Sequence, residues 1–496
     1  MSIATEQHED VTVKVMGFAE LCTQTYRLKL DHYQRPYVWS RKKVRQLLAD
    51  LDEFCDAEPG QEYYLGTLLL HRDDARAANF VIDGQQRLSS LAVLYHALRG
   101  ALPHGLDFHY RSPLSVANLR LAQQTVDEAK PSLHFDGSIF DRLRFTVITV
   151  AREDLAFTFF DTQNNRGVPL KATDLLKAYH LRAIDGAQGT GREQVGHLQR
   201  QCARRWEAVQ VSGPQKSDMR QDFAPELFHK YLWRARNWCG QKRIEREDHD
   251  GILATFQEHS LGVEEAGSLP LYPSHANQFA TRIRLLNDDY RLDLKPVQVS
   301  ASAASLPFSL RQPIHEGIGF FLYAQKYAAL LDELLHGPAT DASMGPFRHF
   351  YVRVVENNSH YLRELFNLAV LMYLDRFGYQ DLLGFAWRTE MVLGGLRLAK
   401  QYIFKEAPLK YLRDAEHNLL DVIAAAYRPE EVSDFLEREL GRSEGYDAVR
   451  LREILDAESR GVQGRYLFAL RNYFSQLQDA PPGTGCLLQL LGLAGK

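Results

Sequence analysis

The spacing of apolar residues changes character near residue 190, and that change restricts the fold more than any other property of the chain. Before it, strand-like runs alternate with segments of helical period. Tyr26 to Leu30 predicts a short strand. Behind Ser40, which is placed to cap a helix, Val44, Leu47, Leu48, Leu51, Phe54 and Cys55 recur at three- and four-residue steps. Tyr63 to Leu70 and Asn79 to Ile82 predict two strands joined by the polar turn His71 to Ala75. Leu88, Leu91, Ala92, Tyr95 and Leu98 then line a helix that ends near Gly100. Leu143 to Val150 predicts another strand, a helix is expected from Arg152 to Asn164, and a further one begins near Ala172. After residue 190 the strand signals fade. Gln194 to Val209, Phe223 to Cys239, Phe320 to Leu335, Ser359 to Phe377 and Gly464 to Leu477 all have helical period. Stretches rich in Ser, Pro and Ala at 262–275 and 296–314 read as loops or linkers. The expected architecture is α+β: a mixed domain over 1–190, then a mostly helical part over 191–496, with a subdomain division near 296–314.

Composition adds bounds. A chain of 496 residues is too long for one core. The net charge of -4 neither demands nor forbids nucleic acid, because a basic groove can hide inside a neutral total. The five cysteines are scattered without a Cys-x-x-Cys pair, which argues against a disulfide framework or a zinc ribbon. Met1 to Asp10 is polar and acidic, unlike a signal peptide. The longest apolar stretch, near Leu365 to Leu374, is interrupted by Asn367 and falls short of the roughly 20 residues that cross a bilayer. The expectation is a cytoplasmic protein without a membrane span.

The most informative junction is a strand, then Asp83-Gly84-Gln85-Gln86-Arg87, then a helix. The first turn of a helix leaves backbone N–H groups without partners and carries partial positive charge. Gly84 lets a bulky anion approach closely, Arg87 engages phosphate through paired bonds, and Asp83 is suited to hold Mg²⁺ or orient a water. The residue types fit a triphosphate site. They equally fit a helix capped by Asp83 with solvated first-turn residues. Tyr33-Gln34-Arg35-Pro36-Tyr37-Val38-Trp39 is suited to stack a base and contact phosphate, or to pack over the domain edge. Gly66, in Tyr63-Tyr64-Leu65-Gly66, marks close approach of a ligand or of another backbone, or a bulge or packing site. Asn164-Asn165-Arg166-Gly167, followed by Leu170 and Asp174, offers exposed backbone N–H groups and a second phosphate donor, or a helix C-cap.

Taken in order, these four segments resemble the GmrS-like family, catalogued as domain of unknown function 262. That family pairs a Tyr-Gln-Arg-x-Tyr-x-Trp loop, a Tyr-x-x-Gly strand and an Asp-Gly-Gln-Gln-Arg helix start. It closes with a motif in which Phe159, Asn164, Arg166, Gly167, Leu170 and Asp174 fall on the matching positions. The resemblance implies a ParB/sulfiredoxin-like domain that binds and hydrolyses nucleoside triphosphates with Mg²⁺. On that reading Asp83, Gln86 and Arg87 are catalytic and Asp83 holds the metal. Tyr33, Gln34, Arg35, Gly66, Gly84, Gln85, Asn164, Arg166 and Asp174 bind nucleotide. Sulfiredoxin chemistry itself does not fit, because no cysteine lies between Cys55 and Cys202.

In type IV restriction systems of this kind the nucleotidase works with a His-Asn-His nuclease. The nearest segment here, Glu416-His417-Asn418, lacks the following Pro and sits inside an apparent helix, Tyr411 to Ala426. Arg465 to Leu470 resembles the helix that precedes the nuclease in fused members, and the sequence runs about thirty residues further. The expectation is a sensor and nucleotidase whose nuclease is a separate partner subunit, with DNA engaged through Arg41, Lys42, Lys43 and Arg45, or through Arg200, Arg204 and Arg205, clusters that equally fit the solvated basic face of a helix. Homo-oligomerisation stays open. The rival readings are a non-hydrolytic nucleotide- and DNA-binding switch and a stand-alone nuclease.

Overall fold

The computed structural model describes residues 11–31, 34–57, 61–152, 155, 171–184, 191–214, 221–241, 247–262, 267–278, 280–286, 289–294, 302–338, 341–456 and 461–477. Contacts divide the chain into two compact units, Met1–Phe223 and Ala224–Lys496.

The first unit is built on a mixed six-stranded sheet. Its elements are β1 (Val11–Gly17), α1 (Phe18–Cys22), β2 (Arg27–Lys29), α2 (Arg41–Ala57), β3 (Tyr63–Asp73), β4 (Ala78–Asp83), α3 (Gln85–Arg99), β5 (Leu106–Asp107), α4 (Pro113–Ala129), α5 (Ile139–Arg142), β6 (Leu143–Val150), α6 (Ala172–Ala183) and α7 (Arg192–Val211). The strand order is β1-β6-β3-β4-β2-β5. The β1–β6 and β3–β4 pairs are antiparallel and the other three are parallel. The hairpin expected around residues 71–75 is present, with both strands running further than the apolar pattern suggests and turning over residues 74–77.

One face of the sheet carries the core. Val44, Leu47, Leu48 and Leu51 of α2 are spaced to give one apolar stripe, and with Leu88, Leu91 and Leu94 of α3 they close over Leu68, Leu70, Val81, Phe145 and Val147. Each such aliphatic side chain contributes about 2 kcal/mol by leaving water. The opposite face has only a small cluster, Leu69, Ile82 and Val150. Strand β4 lies inside the sheet, between β3 and β2.

The second unit is α-helical in the main, as the period of its apolar residues requires. Its helices include α8 (Ile318–Leu335), α9 (His360–Phe377), α10 (Leu382–Ala399), α11 (Ala407–Asp414), α12 (Leu419–Ala425), α13 (Pro429–Gly441) and α14 (Val462–Ser475). Earlier in the unit, Leu227–Trp233 forms a π-helical stretch between Ala224–Glu226 and Arg234–Asn237. The loop at 302–314 has Phe308, Leu310 and Ile314 buried.

Two expectations need correction here. Strands do not stop at residue 190: Ala280–Leu286 (β7) and Asp289–Leu294 (β8) form an antiparallel hairpin. The apparent helix Tyr411 to Ala426 is broken, because α11 ends at Asp414 and Asn418 caps α12 by accepting from the Leu420 N–H. His417 is exposed in that break. No helix among the described residues is long and apolar enough to cross a membrane.

Candidate functional site

Strand β4 ends at Asp83, and Gly84 turns the chain into α3 with φ 99 and ψ 1. That left-handed conformation favours glycine, and a Cβ at this position collides with Leu68 Cδ2. Gly84 is the N-cap, so among the described residues no side chain caps α3, and the first-turn N–H groups stay available as donors. Asp83 does not cap the helix. Its carboxylate faces the Arg87 guanidinium at 3.5 Å and is about one third exposed.

The next two motif residues turn inward and hold the protein's own main chain. Gln86 is buried, with Oε1 accepting from the Val38 N–H and Nε2 donating to the Pro36 carbonyl, both at 2.9 Å. Its amide thus mimics a strand partner for the aromatic loop. Tyr37 between those two contacts is fully buried, its hydroxyl 2.8 Å from Ser90 Oγ, and Asn118 Nδ2 donates to its carbonyl at 3.0 Å. Of the three aromatic residues expected to stack a base, Tyr37 therefore belongs to the core. Tyr33 lies outside the described residues. Gln34 Nε2 donates to the Val81 carbonyl at 2.5 Å and reaches the Ile82 carbonyl at 3.3 Å, tying the start of the loop to β4.

Arg87 has a similar part on the other side. Strand β3 bulges between Tyr64 and Thr67 where it pairs with β6, and two carbonyls there serve as acceptors. Arg87 donates to the Leu65 carbonyl at 2.6 Å and to the Thr67 carbonyl at 2.5 Å. Gly66, with φ +95, lies beneath the guanidinium, and a Cβ there sits 2.6 Å from Arg87 Nη1. The close approach expected at Gly66 is thus to an arginine of the same domain. Gln85 is buried as well, but its Oε1 has no hydrogen-bond partner.

Helix α6 supplies a residue that the sequence reading missed. Lys177 is only 4% exposed and its Nζ donates to the Gln34 carbonyl at 2.8 Å. Burial pushes its ammonium group below the ordinary lysine range, opposed by the fields of Glu207, Asp174, Asp222 and Asp31. Burial raises the Asp174 carboxyl above its ordinary range, opposed by Arg35, Lys171 and Lys177. The signal for Lys177 was present: it lies four residues after Thr173 and four before Leu181, both buried, on the inward face of α6. The structure thus brings Gln34, Asp83, Gly84, Gln86, Arg87 and Gly66 to the C-terminal end of β4, and places Arg35, Asp174 and Lys177 in one electrostatic group. Asn164 and Arg166 lie outside the described residues.

Two requirements of a metal-bound triphosphate can be compared with these side chains. Among the described residues no three His, Cys, Asp or Glu side chains cluster to hold a metal. Mg²⁺ that arrives on phosphate needs only one or two carboxylates, which Asp83 satisfies. The uncapped N–H groups of the first turn of α3, whose N-cap Gly84 directly follows Asp83, supply donors for the phosphate oxygens. The basic cluster on α2 is less open than its sequence suggests, since Arg41 and Arg45 both pair with Glu128, at 3.1 and 3.3 Å. Lys42 and Lys43 are exposed.

Comparison with known proteins gives two family matches. Residues 18–181 match the N-terminal domain of the GmrSD restriction endonuclease. Residues 198–448, just over half of the chain, match a family of unknown function, DUF7834. No curated protein matches.

Proposed function

The chain belongs to the DUF7834 family, and on that premise, with a GmrSD N-terminal domain ahead of it, we propose that it binds and hydrolyses a nucleoside triphosphate at the start of α3. The N-terminal match supports a role connected with restriction. In that role nucleotide turnover controls how a partner nuclease engages DNA.

One observation carries this reading: α3 begins directly after an inner strand, at a left-handed glycine, with no side chain among the described residues on its first-turn donors. Such an end attracts phosphate through its N–H groups and its dipole. The assignment of roles follows the geometry. The main chain at Gly84 and Gln85 cradles phosphate, and Arg35 adds positive charge. Asp83 holds Mg²⁺ or orients the attacking water, and the metal, when bound, neutralises charge on the phosphates. Gln86 and Arg87 act as positioning residues, fixing the aromatic loop and the β3 bulge around the helix start. Lys177 fixes the Gln34 end of the same loop.

The test uses the purified full chain with Mg²⁺ and each of the four common ribonucleoside triphosphates. Phosphate release is expected from at least one of them. Asp83→Asn is expected to abolish release and leave binding, measured by equilibrium dialysis, within a few-fold. The absence of binding to any triphosphate overturns the proposal. Binding without release moves it to a non-hydrolytic switch, a second reading favoured by the fact that Gln86 and Arg87 are already engaged with main chain.

A further inference from the structure

The second unit contains a cavity of about 320 Å³ where the ends of four segments meet. Leu396 near the end of α10, Ile403 in the following loop and Ala407 on α11 line it with apolar surface. Lys410 and Tyr411, three and four residues after Ala407, continue the same face of α11 into the cavity. Lys400, which closes α10, stands at the rim.

The polar groups of this cavity are not equivalent. Its carboxylates are already matched: Arg442 pairs with Glu416 at 2.7 Å and with Glu439 at 3.2 Å, and Arg413 pairs with Asp414 at 2.8 Å. Lys400 and Lys410 have no ion pair or side-chain hydrogen bond among the described residues, so within a lining of three cations and three carboxylates the two groups without a close partner are ammonium groups. Tyr411 Oη is closed off from solvent and has no hydrogen-bond partner. A ligand acceptor that reaches this hydroxyl satisfies a donor that the protein leaves unpaired. Burial also pushes the Tyr411 phenol further above its ordinary range, so it stays an O–H donor. Tyr402 and Phe404, either side of the lining residue Ile403, are each 68% exposed. Neither residue lines the cavity, but both rings are open to solvent on the loop that carries Ile403.

Apolar walls, two unmatched ammonium groups, one buried donor and exposed aromatic rings on the loop that carries Ile403 define a ligand chemistry. We propose that this cavity binds a small anion with an aromatic body, the chemistry of a nucleoside monophosphate. The planar body lies on Leu396, Ile403 and Ala407, Tyr411 donates to it, and Lys400 and Lys410 hold the anionic group. This site is in a different unit from the start of α3 and does not depend on hydrolysis there.

The experiment is isothermal titration of the full chain with AMP, GMP, CMP and TMP. At least one is expected to bind, Lys410→Glu to weaken it tenfold or more, and Tyr411→Phe, which keeps the ring, to weaken it about tenfold, the equivalent of one hydrogen bond at about 1.4 kcal/mol. Lys410→Glu and Tyr411→Phe are expected to leave phosphate release from the triphosphate unchanged, which separates this site from any on the first unit. A 5′-phosphorylated single-stranded decamer distinguishes the source. Competition by the decamer assigns the site to a base of a strand, and no competition assigns it to free nucleotide. No heat with any of the four monophosphates, or heat that survives both Lys410→Glu and Tyr411→Phe, overturns the proposal.

Discussion

At the start of α3 the buried polar side chains bond to main chain, with Gln86 on Pro36 and Val38 and Arg87 on Leu65 and Thr67. In the helical unit the deepest charges bond largely to one another. Lys326 meets Asp375 at 2.6 Å, and Arg234 meets Glu247 at 2.6 Å and Glu364 at 2.8 Å. The contrast follows from backbone accounting. A helix satisfies its own N–H and C=O groups except at its ends, so a polar side chain buried between helices must find another side chain. Loops and bulges leave main-chain groups open, and side chains supply the missing partners. The helical unit obeys the same rule where it has a loop, since Lys326 also donates to the Phe308 carbonyl and Arg236 to those of Leu310 and Gln312. Motif residues in the first unit are therefore first of all fasteners of irregular backbone, and what they leave uncovered is the helix end beside them.

The largest expected effect lies in the helical unit. Asp375→Ala strands Lys326 in the core and also removes acceptors from the Tyr327 hydroxyl and the Leu310 N–H. Breaking a buried pair in this way costs about 3–5 kcal/mol. Urea unfolding of the variant is expected to show that loss, with faster amide exchange across α8. A loss below about 1 kcal/mol would mean that these charges are not held as a closed pair.

Glu390 sharpens the contrast from the other side, because it is buried with too few partners. Asn358 Nδ2 donates to its Oε1 at 2.8 Å, while Oε2 has none. Burial raises its carboxyl from 4.5 to about 7. The folded state therefore binds the proton more tightly than the unfolded chain, and stability falls as pH rises from about 4.5 towards 7, levelling off above that. The full difference is about 3 kcal/mol. Glu390→Gln is expected to raise the melting temperature at pH 8 and to change it little at pH 4.5. Equal effects at both values would contradict the assignment.

How much of this was legible in the sequence depends on the kind of partner each residue takes. The strand β6 was readable to the residue because its alternation faces a core. The motif Asp83 to Arg87 was readable as a helix start, but the direction of Gln86 and Arg87 was not, since their partners lie on a loop 50 residues away and in a strand bulge 22 residues away. Lys177 was hidden by the habit of reading lysine as surface, although its position on α6 was inward. The β7–β8 hairpin was missed: Ile283 and Leu292 pair across it and both are exposed, so these two residues carry no core signal for a strand.

Gln86→Ala tests the fastener role directly. It removes one donor and one acceptor from buried main chain, at about 2 kcal/mol for the pair. Exchange of the amides in 34–39 is expected to rise more than that of β6, and Gln86→Glu is expected to behave similarly because a carboxylate faces the Pro36 carbonyl. If Gln86→Ala instead left stability and loop exchange unaltered while abolishing triphosphate binding, the side chain would belong to the ligand and the comparison above would fail at its clearest point.

The smallest expected effect is the most specific, because it asks whether Gly66 and Arg87 form one unit. Alanine at Gly66 costs about 1–2 kcal/mol from its left-handed backbone alone. Its Cβ, 2.6 Å from Arg87 Nη1, must also displace a guanidinium that holds two carbonyls. Arg87→Lys removes the forked head and with it the crowding, at the loss of one carbonyl contact. In a double-mutant cycle followed by urea unfolding, Gly66→Ala is therefore expected to cost less in the Arg87→Lys background than in the native one, with a coupling of about 0.5–1 kcal/mol. Additive costs would show that Gly66 is required only for its backbone angle, and that the matched occurrence of glycine and arginine has its cause outside this contact.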